Sequence, residues 1–257
     1  MSPRLAFAVE TAVLAGKSTL AHFQAGAAVD LKEDATPVTV ADRNAERLIR
    51  ELVGKKYPNE RIVGEEEGGD QTIADRWIVD PIDGTKSFVS GVPLYATLLS
   101  YEVDFQPVVG VAYFPALDEL LYAEVGQGAF FNGRVARVSE KRQIKGGVVC
   151  CGGHRSMIHY GRWDGLALVA ERAMATRTWS DAYGHALVAT GRVEAMVDPV
   201  VSRWDISAVA LIVREAGGRV TNFGGREELT PSHADGHYEL VSSNGLIHDE
   251  LLEAFRQ

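Results

Sequence analysis

From Asp205 to Ala216 the chain reads DISAVALIVREA, an almost wholly apolar run with charge only near its two ends. As a helix it has no broad polar face to offer water, so it must be covered on most sides. Gly217-Gly218 stops it. At 257 residues and 46% hydrophobic content, the chain can bury a sizeable core without disulfides or a structural metal. That length allows one large domain or two fused halves.

The rest of the chain reads as mixed α/β. Leu5, Val9, Ala12, Val13, Gly16, Leu20 and Phe23 follow a helical repeat over residues 5–23, with Gly26 as a plausible stop. A second helix is predicted from about Ala41 to Val53, and Thr39 and Asp42 have the spacing of a capping box at its start. Trp77-Ile78-Val79, Tyr95 to Tyr101, Val108 to Phe114 and Leu120 to Val125 read as strands, and a glycine-rich turn region follows from Gly126. Strands are then expected at 147–151, 193–197 and 240–242, and helices at 182–190 and 246–255. The pattern divides into an N-terminal α+β half, residues 1–140, and a C-terminal α/β half, residues 141–257, together one catalytic unit.

Charge narrows the function. The formal net charge is −9, which repels nucleic acid unless a basic patch is set aside for it. The densest basic run, Lys141-Arg142 to Lys145, is short and reads as a solvated turn. No nucleic-acid partner is expected, and a phosphate-bearing substrate would need metal cations for its positive charge. Cys150 and Cys151 are adjacent, which rules out a secreted disulfide framework and suits a reducing cytoplasm. The first ten residues lack signal-peptide order, and no apolar run reaches the ~18 residues of a membrane span.

Carboxylates stand where a chain can aim them at a pocket. Gly64-Glu65-Glu66-Glu67-Gly68 is an acidic loop between glycines. Trp77-Ile78-Val79 runs into Asp80-Pro81-Ile82-Asp83-Gly84-Thr85, where a turn can point Asp80, Asp83 and the Ile82 carbonyl at one spot. Trp204-Asp205 opens the apolar helix. Each has an ordinary reading: a solvated loop, an Asp-Gly turn, a helix cap for Asp205 or Asp42. Taken together they point to hard-cation binding, because each acid adjoins an apolar element, where an unpaired charge is costly.

These motifs resemble the inositol monophosphatase family. Asp80-Pro81-Ile82-Asp83-Gly84-Thr85-Lys86-Ser87-Phe88 is similar to its first signature. Trp204-Asp205-Ile206-Ser207-Ala208, closing with Glu215-Ala216-Gly217-Gly218, is similar to its second. Val38-Thr39-Val40-Ala41-Asp42 and Gly64-Glu65-Glu66 resemble the upstream motifs, in the same order. The resemblance implies a layered α/β/α/β/α sandwich of the inositol monophosphatase/fructose-bisphosphatase type, often a homodimer, acting on a small phosphate ester. It implies that Glu65, Asp80 and the Ile82 carbonyl hold a first Mg²⁺. Asp80, Asp83 and Asp205 would hold a second, and Glu65 would help a weaker third. Asp42 and Thr85 would orient and deprotonate the attacking water, with the Gly84 and Thr85 amides facing the phosphate.

Rival chemistries fit poorly. Cys150 and Cys151 precede Arg155 by four and three intervening residues, where a cysteine phosphatase needs five. Asp80 and Asp83 have two residues between them, where an aspartyl-phosphate enzyme wants one, and no Arg-His-Gly run offers a histidine nucleophile. For the leaving group, the stretch from Arg177 through Val188-Ala189-Thr190-Gly191-Arg192 to Asp198-Pro199 looks most like the histidinol-phosphatase branch, as does Phe88-Val89-Ser90-Gly91-Val92-Pro93. Histidinol carries an ammonium and an imidazole, which Asp181 and Asp198 can pair with; Arg177 joins them as a substrate contact. The ordinary alternatives are that Asp181 caps a helix and Asp198 closes a turn. All seven histidines read as surface or packing residues. Inositol phosphate, sugar bisphosphate or adenosine bisphosphate remain alternative substrates, and an inactive scaffold on the same fold is the non-enzyme alternative.

Overall fold

The computed structural model describes residues 1–25, 29–31, 37–179 and 181–256. The chain opens with α1 (Pro3–Thr19), whose N-cap Ser2 accepts the Leu5 N–H. β1 (Val29–Leu31) and β2 (Pro37–Thr39) pair as a short antiparallel ribbon. α2 (Val40–Lys56) starts on the expected capping box. Thr39 N–H donates to Asp42 Oδ2 at 2.8 Å, and the Thr39 hydroxyl accepts the Ala41 N–H.

A seven-stranded sheet follows in chain order: β3 (Arg61–Gly64), β4 (Arg76–Asp83), β5 (Ala96–Val103), β6 (Gln106–Phe114), β7 (Glu119–Glu124), β8 (Ala129–Phe131) and β9 (Arg134–Ala136). The short α3 (Thr85–Val89) lies between β4 and β5. β3 is parallel to β4 and the other pairs are antiparallel. Asn132-Gly133, both at positive φ, turn β8 into β9 as such a dipeptide favours.

The second sheet has the order β11-β10-β12-β14-β13. It is built from β10 (Val148–Cys151), β11 (Ala175–Arg177), β12 (Ala195–Val201), β13 (Arg219–Thr221) and β14 (Tyr238–Ser243). Between and after these strands come α4 (His154–His159), α5 (Trp163–Arg172), α6 (Ala182–Ala189), α7 (Arg203–Glu215) and α8 (His248–Ala254).

Strand alternation sorts these elements into five layers. Trp77, Val79, Leu99 and Val111 face α1 and α2. Leu98, Ala112, Leu121 and Ala123 face the opposite way, onto α6 and α7, and meet Cys150, Met196 and Leu240 of the second sheet there. Val149, Cys151, Val197 and Val241 face outward again, under α4, α5 and α8. The apolar helix is therefore α7, lying between two sheets with every residue from Ile206 to Val213 buried. It approaches β6 so closely that a Cβ on Gly110 would lie 2.8 Å from the Ala208 carbonyl oxygen. This is the layered α/β/α/β/α architecture the motifs imply.

Some boundaries differ from expectation. α1 stops at Thr19, and residues 20–25 form turns. The apolar repeat runs on to Phe23 because that ring packs on Phe88 and Tyr95 rather than on a helix face. Gly26, the expected stop, falls outside the described residues. α4, α5, β3, β11 and β13 are elements the sequence pattern did not resolve. Among the described residues, no helix is long and apolar enough to cross a membrane.

Candidate active site

A strand defect delivers two of the acids. β4 pairs with β5 residue by residue from Arg76 to Asp80, then slips register before Asp83 meets Ala96. Pro81, with no N–H to give to the ladder, sits inside the irregularity, where a proline is tolerated. Asp80 Oδ1 accepts the Ile82 N–H at 3.1 Å, and Asp83 Oδ2 accepts the Ala182 N–H at the start of α6 at 2.7 Å. Asp205 arrives on the first turn of α7, its Oδ2 accepting the Ser202 N–H at 2.7 Å. Asp205 thus does cap its helix, with one oxygen only. One carboxylate oxygen from each of Asp80, Asp83 and Asp205 lies within 4.8 Å of the others. Glu65 follows β3, its N–H donating to the Val79 carbonyl at 3.2 Å, and its carboxyl stands beside Asp80, whose pKa it raises.

Burial and mutual repulsion dominate the electrostatics. Burial, then Glu65, Asp83 and Asp205, push Asp80 well above the usual carboxylate range. Burial, Asp181 and Asp205 do the same to Asp83 against the opposing Ala182 N–H. Half-buried Asp205 is pushed up to about 8 by burial and Glu65, with the Ser202 N–H opposing. The charges acting most strongly on these three acids are other carboxylates. Clustered oxygen donors of this kind fit a hard divalent cation, and Ile82 lines the same cavity.

That cavity, about 170 Å³, also contains Gly84 and Thr85. Gly84 is the N-cap of α3 at φ +79°, a left-handed conformation that favours glycine. The Thr85 hydroxyl donates to the Ile82 carbonyl at 3.0 Å and lies 3.4 Å from Asp42 Oδ1. Asp42 is fully buried, and its Oδ2 accepts both the N–H and the hydroxyl of Thr39.

A wider cavity of about 610 Å³ adjoins the first and shares Glu65, Asp83, Asp181 and Asp205 with it. Asp181 stands at φ +60°, ψ −159°; its carbonyl accepts the Gly184 N–H at 3.2 Å, but its side chain makes no capping bond to α6. That conformation is costly for any residue but glycine, and its carboxylate lies over Gly84, where a Cβ would meet Oδ2 at 2.9 Å. Burial and neighbouring Asp198 raise Asp181 to about 6, with Lys86 and His185 opposing. Asp198 lies within β12, at a register shift against β14, and is buried. Asp181 makes no side-chain cap to α6, and Asp198 lies within a strand rather than in a turn.

Two readings change. His185 is not a simple packing residue: it is buried in the wall of the wider cavity, bonded to Asp198 and Ser242. Arg177 is exposed on edge strand β11, donates to the Thr176 carbonyl at 2.8 Å, and is not part of the cavity lining. β11 ends at this residue, and its guanidinium folds back on its own strand. Lys86, which lines both cavities, was passed over although it sits inside the first motif.

Fold and carboxylate cluster together define a protein built to hold divalent cations at the edge of a cavity. The model of the inositol monophosphatase family matches residues 1–257, and the chain belongs to that family. It is 41% identical over 256 residues to a histidinol-phosphatase of Chlorobaculum parvum, covering 99% of this chain and 97% of that one. It is 40% identical to the fructose-1,6-bisphosphatase/inositol-1-monophosphatase of Thermotoga maritima, covering 86% and 82%. Among solved structures, the extragenic suppressor protein suhB of Bartonella henselae superposes with a TM-score of 0.90 at 33% identity, covering 100% and 99%.

Proposed function

We propose that the chain is a Mg²⁺-dependent phosphomonoesterase that hydrolyses histidinol phosphate to histidinol and phosphate, a step of histidine biosynthesis. The observation that carries the substrate is the pair Asp181 and Asp198, side by side in the wider cavity next to the carboxylate cluster. A leaving group with an ammonium and an imidazole gives these acids a cation to pair with. The similarity to a histidinol-phosphatase supports the same choice.

In this reading Glu65, Asp80, Asp83, Asp205 and the Ile82 carbonyl hold two or three ions. Bound there, a divalent cation neutralises phosphoryl oxygens and lowers the pKa of water. Thr85 Oγ accepts the attacking water's proton as its own turns from the Ile82 carbonyl, 3.0 Å away, to Asp42 Oδ1, 3.4 Å away. Oδ2 of Asp42 is held by Thr39, so the carboxylate stays in place while Oδ1 works. Gly84 lets the backbone at the start of α3 approach the phosphate. No nucleophilic side chain is used.

A second reading is a broader phosphatase that takes inositol 1-phosphate or a sugar phosphate. Lys86 favours it, because this lysine already opposes the charge on Asp181. A panel of histidinol phosphate, inositol 1-phosphate, fructose 1,6-bisphosphate and adenosine bisphosphate at fixed Mg²⁺ decides between them: preference for inositol 1-phosphate overturns the histidinol assignment and leaves the metal chemistry standing. Phosphate release that follows Mg²⁺ titration separates either enzyme from an inactive scaffold. We assign a homodimer on the family resemblance, for sedimentation to check. We assign the cytoplasm on the two free buried cysteines, Cys150 and Cys151.

A further inference from the structure

His185 has no part in the phosphate chemistry, yet it is 2% exposed and bonded at both ring nitrogens. It lies in the first turn of α6, just after the N-cap Asp181, and both residues line the wider cavity. Nδ1 is 2.8 Å from the Ser242 hydroxyl on β14, and Nε2 is 3.2 Å from Asp198 Oδ2 on β12. An ionised Asp198 can only accept, so Nε2 carries a proton and donates it. In the neutral ring Nδ1 then accepts from Ser242, which fixes the tautomer. The other oxygen of Asp198 is confined as well: a Cβ on Gly152 would lie 2.3 Å from Oδ1. β12 and β14 are adjacent strands with Met196 opposite Ser242, so the chain of hydrogen bonds ties α6 to two strands of the second sheet.

We propose that His185 is a positioning residue for substrate selection: held by Ser242, its imidazole fixes the Asp198 carboxylate in the wall of the wider cavity, where it meets a cationic leaving group. Gly152 completes the arrangement by leaving room for Oδ1. The inference rests on the substrate reading above in taking the leaving group to be cationic. It adds that selectivity depends on a residue that does not itself touch the substrate.

A double-mutant cycle tests it on the full chain at saturating Mg²⁺, with L-histidinol phosphate and glycerol 2-phosphate as the cationic and neutral esters. The quantity read is the ratio of their kcat/KM values. His185→Leu is expected to lower that ratio about tenfold, as loss of a charge-assisted hydrogen bond allows, with the larger part in KM for histidinol phosphate. Asp198→Ala is expected to lower it by a similar factor, and the double variant no further than Asp198→Ala alone. His185→Gln, whose amide can donate to Asp198, is expected to recover most of the ratio. If His185→Leu does not fold, Ser242→Ala keeps the imidazole, frees its Nδ1 and is expected to lower the ratio about two- to threefold. Equal losses on both esters, or losses that multiply in the double variant, overturn the positioning role. The substrate reading fails separately, if the wild-type protein does not prefer histidinol phosphate; coupling between His185 and Asp198 on the cationic ester still decides the role of His185.

Discussion

The same two elements, β4 and α7, carry two charged clusters that are resolved in opposite ways. In one, Glu102 of β5 is fully buried between two arginines. Arg76 Nε lies 3.1 Å from one carboxylate oxygen and Arg203 Nε 2.7 Å from the other. The Ser207 hydroxyl adds a bond at 2.6 Å, and Arg203 also donates to the Leu229 and Phe105 carbonyls. In the other, at the far end of β4 and two residues along α7, Asp80, Asp83 and Asp205 crowd together, and the charges acting most strongly on them are more carboxylates. A fold that places arginine beside Glu102 has the means to pair a buried acid. In the second cluster the strongest neighbouring charges are carboxylates, so its acids keep protons unless a counter-charge arrives from outside to hold them ionised.

The largest effect expected from this contrast is on activity. Removing divalent cations with excess chelator should abolish phosphate release by at least about a thousandfold, since metal stabilisation of a phosphoryl transition state is worth several kcal/mol, and Mg²⁺ should restore it. Full turnover after exhaustive dialysis into chelator would end the cation reading of the cluster.

The two clusters should also respond to neutralisation with opposite signs. Glu102→Gln leaves two buried arginines facing each other, and breaking a buried pair this way costs about 3–5 kcal/mol. For a chain of this size that is a fall in Tm of roughly 6–20 °C. Asp205→Asn keeps an oxygen to accept the Ser202 N–H and removes a repelled charge, so the metal-free variant should melt at a higher temperature than the wild type while losing metal affinity and turnover. Calorimetry with and without Mg²⁺ reads both changes; equal destabilisation by the two substitutions would erase the distinction.

Thr85→Ala sharpens the comparison within the site. The hydroxyl lies between the Ile82 carbonyl and Asp42, so its loss should leave the melting curve nearly unchanged. Residues that orient metal-site groups commonly contribute about 10–100-fold, and turnover should fall by that much or more. Wild-type turnover in this variant would remove the water-activating role from Thr85 and Asp42.

What could be read from the sequence follows from how local each feature is. The capping box of Thr39 and Asp42, the Asn132-Gly133 turn region and the run into Asp80 and Asp83 are set by neighbours within a few residues. The apolar α7 announced its burial between layers, and the motifs placed its first acid. The Glu102 cluster was invisible because its arginines lie 26 and 101 residues away. His185 was misjudged for the same reason: its partners are 13 and 57 residues distant, and only the pairing of β12 with β14 brings them together. The α4–α5 region has short helices with no side-chain N-cap, so it offered few local signals. Arg177 shows the converse: four residues before Asp181 in sequence, it lies on edge strand β11 and is not among the residues lining the cavity.

The smallest expected effect is on the pH dependence of stability, and its sign separates the clusters once more. Asp205 is held near 8 in the metal-free fold, far above an unfolded aspartate near 4. The folded protein therefore keeps a proton that the unfolded chain releases. Stability from this group is full below about 4 and is lost as pH rises through about 8. Asp80 and Asp83 are shifted in the same direction. Asp181, raised to about 6, adds to the loss at lower pH. His248 opposes it there: burial lowers its pKa to about 4, so its contribution is present above its unfolded value near 6.5 and lost as pH falls through 4. Between about 6.5 and 8 the histidine is neutral in both states, and the buried carboxylates dominate. The chelated wild-type protein should lose a few degrees of Tm across that window. Saturating Mg²⁺ should flatten the slope, because bound cations favour the ionised acids, and Asp205→Asn should flatten it without metal. A chelated wild-type protein whose Tm held steady or rose from pH 6.5 to 8 would mean that the acidic cluster is relieved by something other than an external cation.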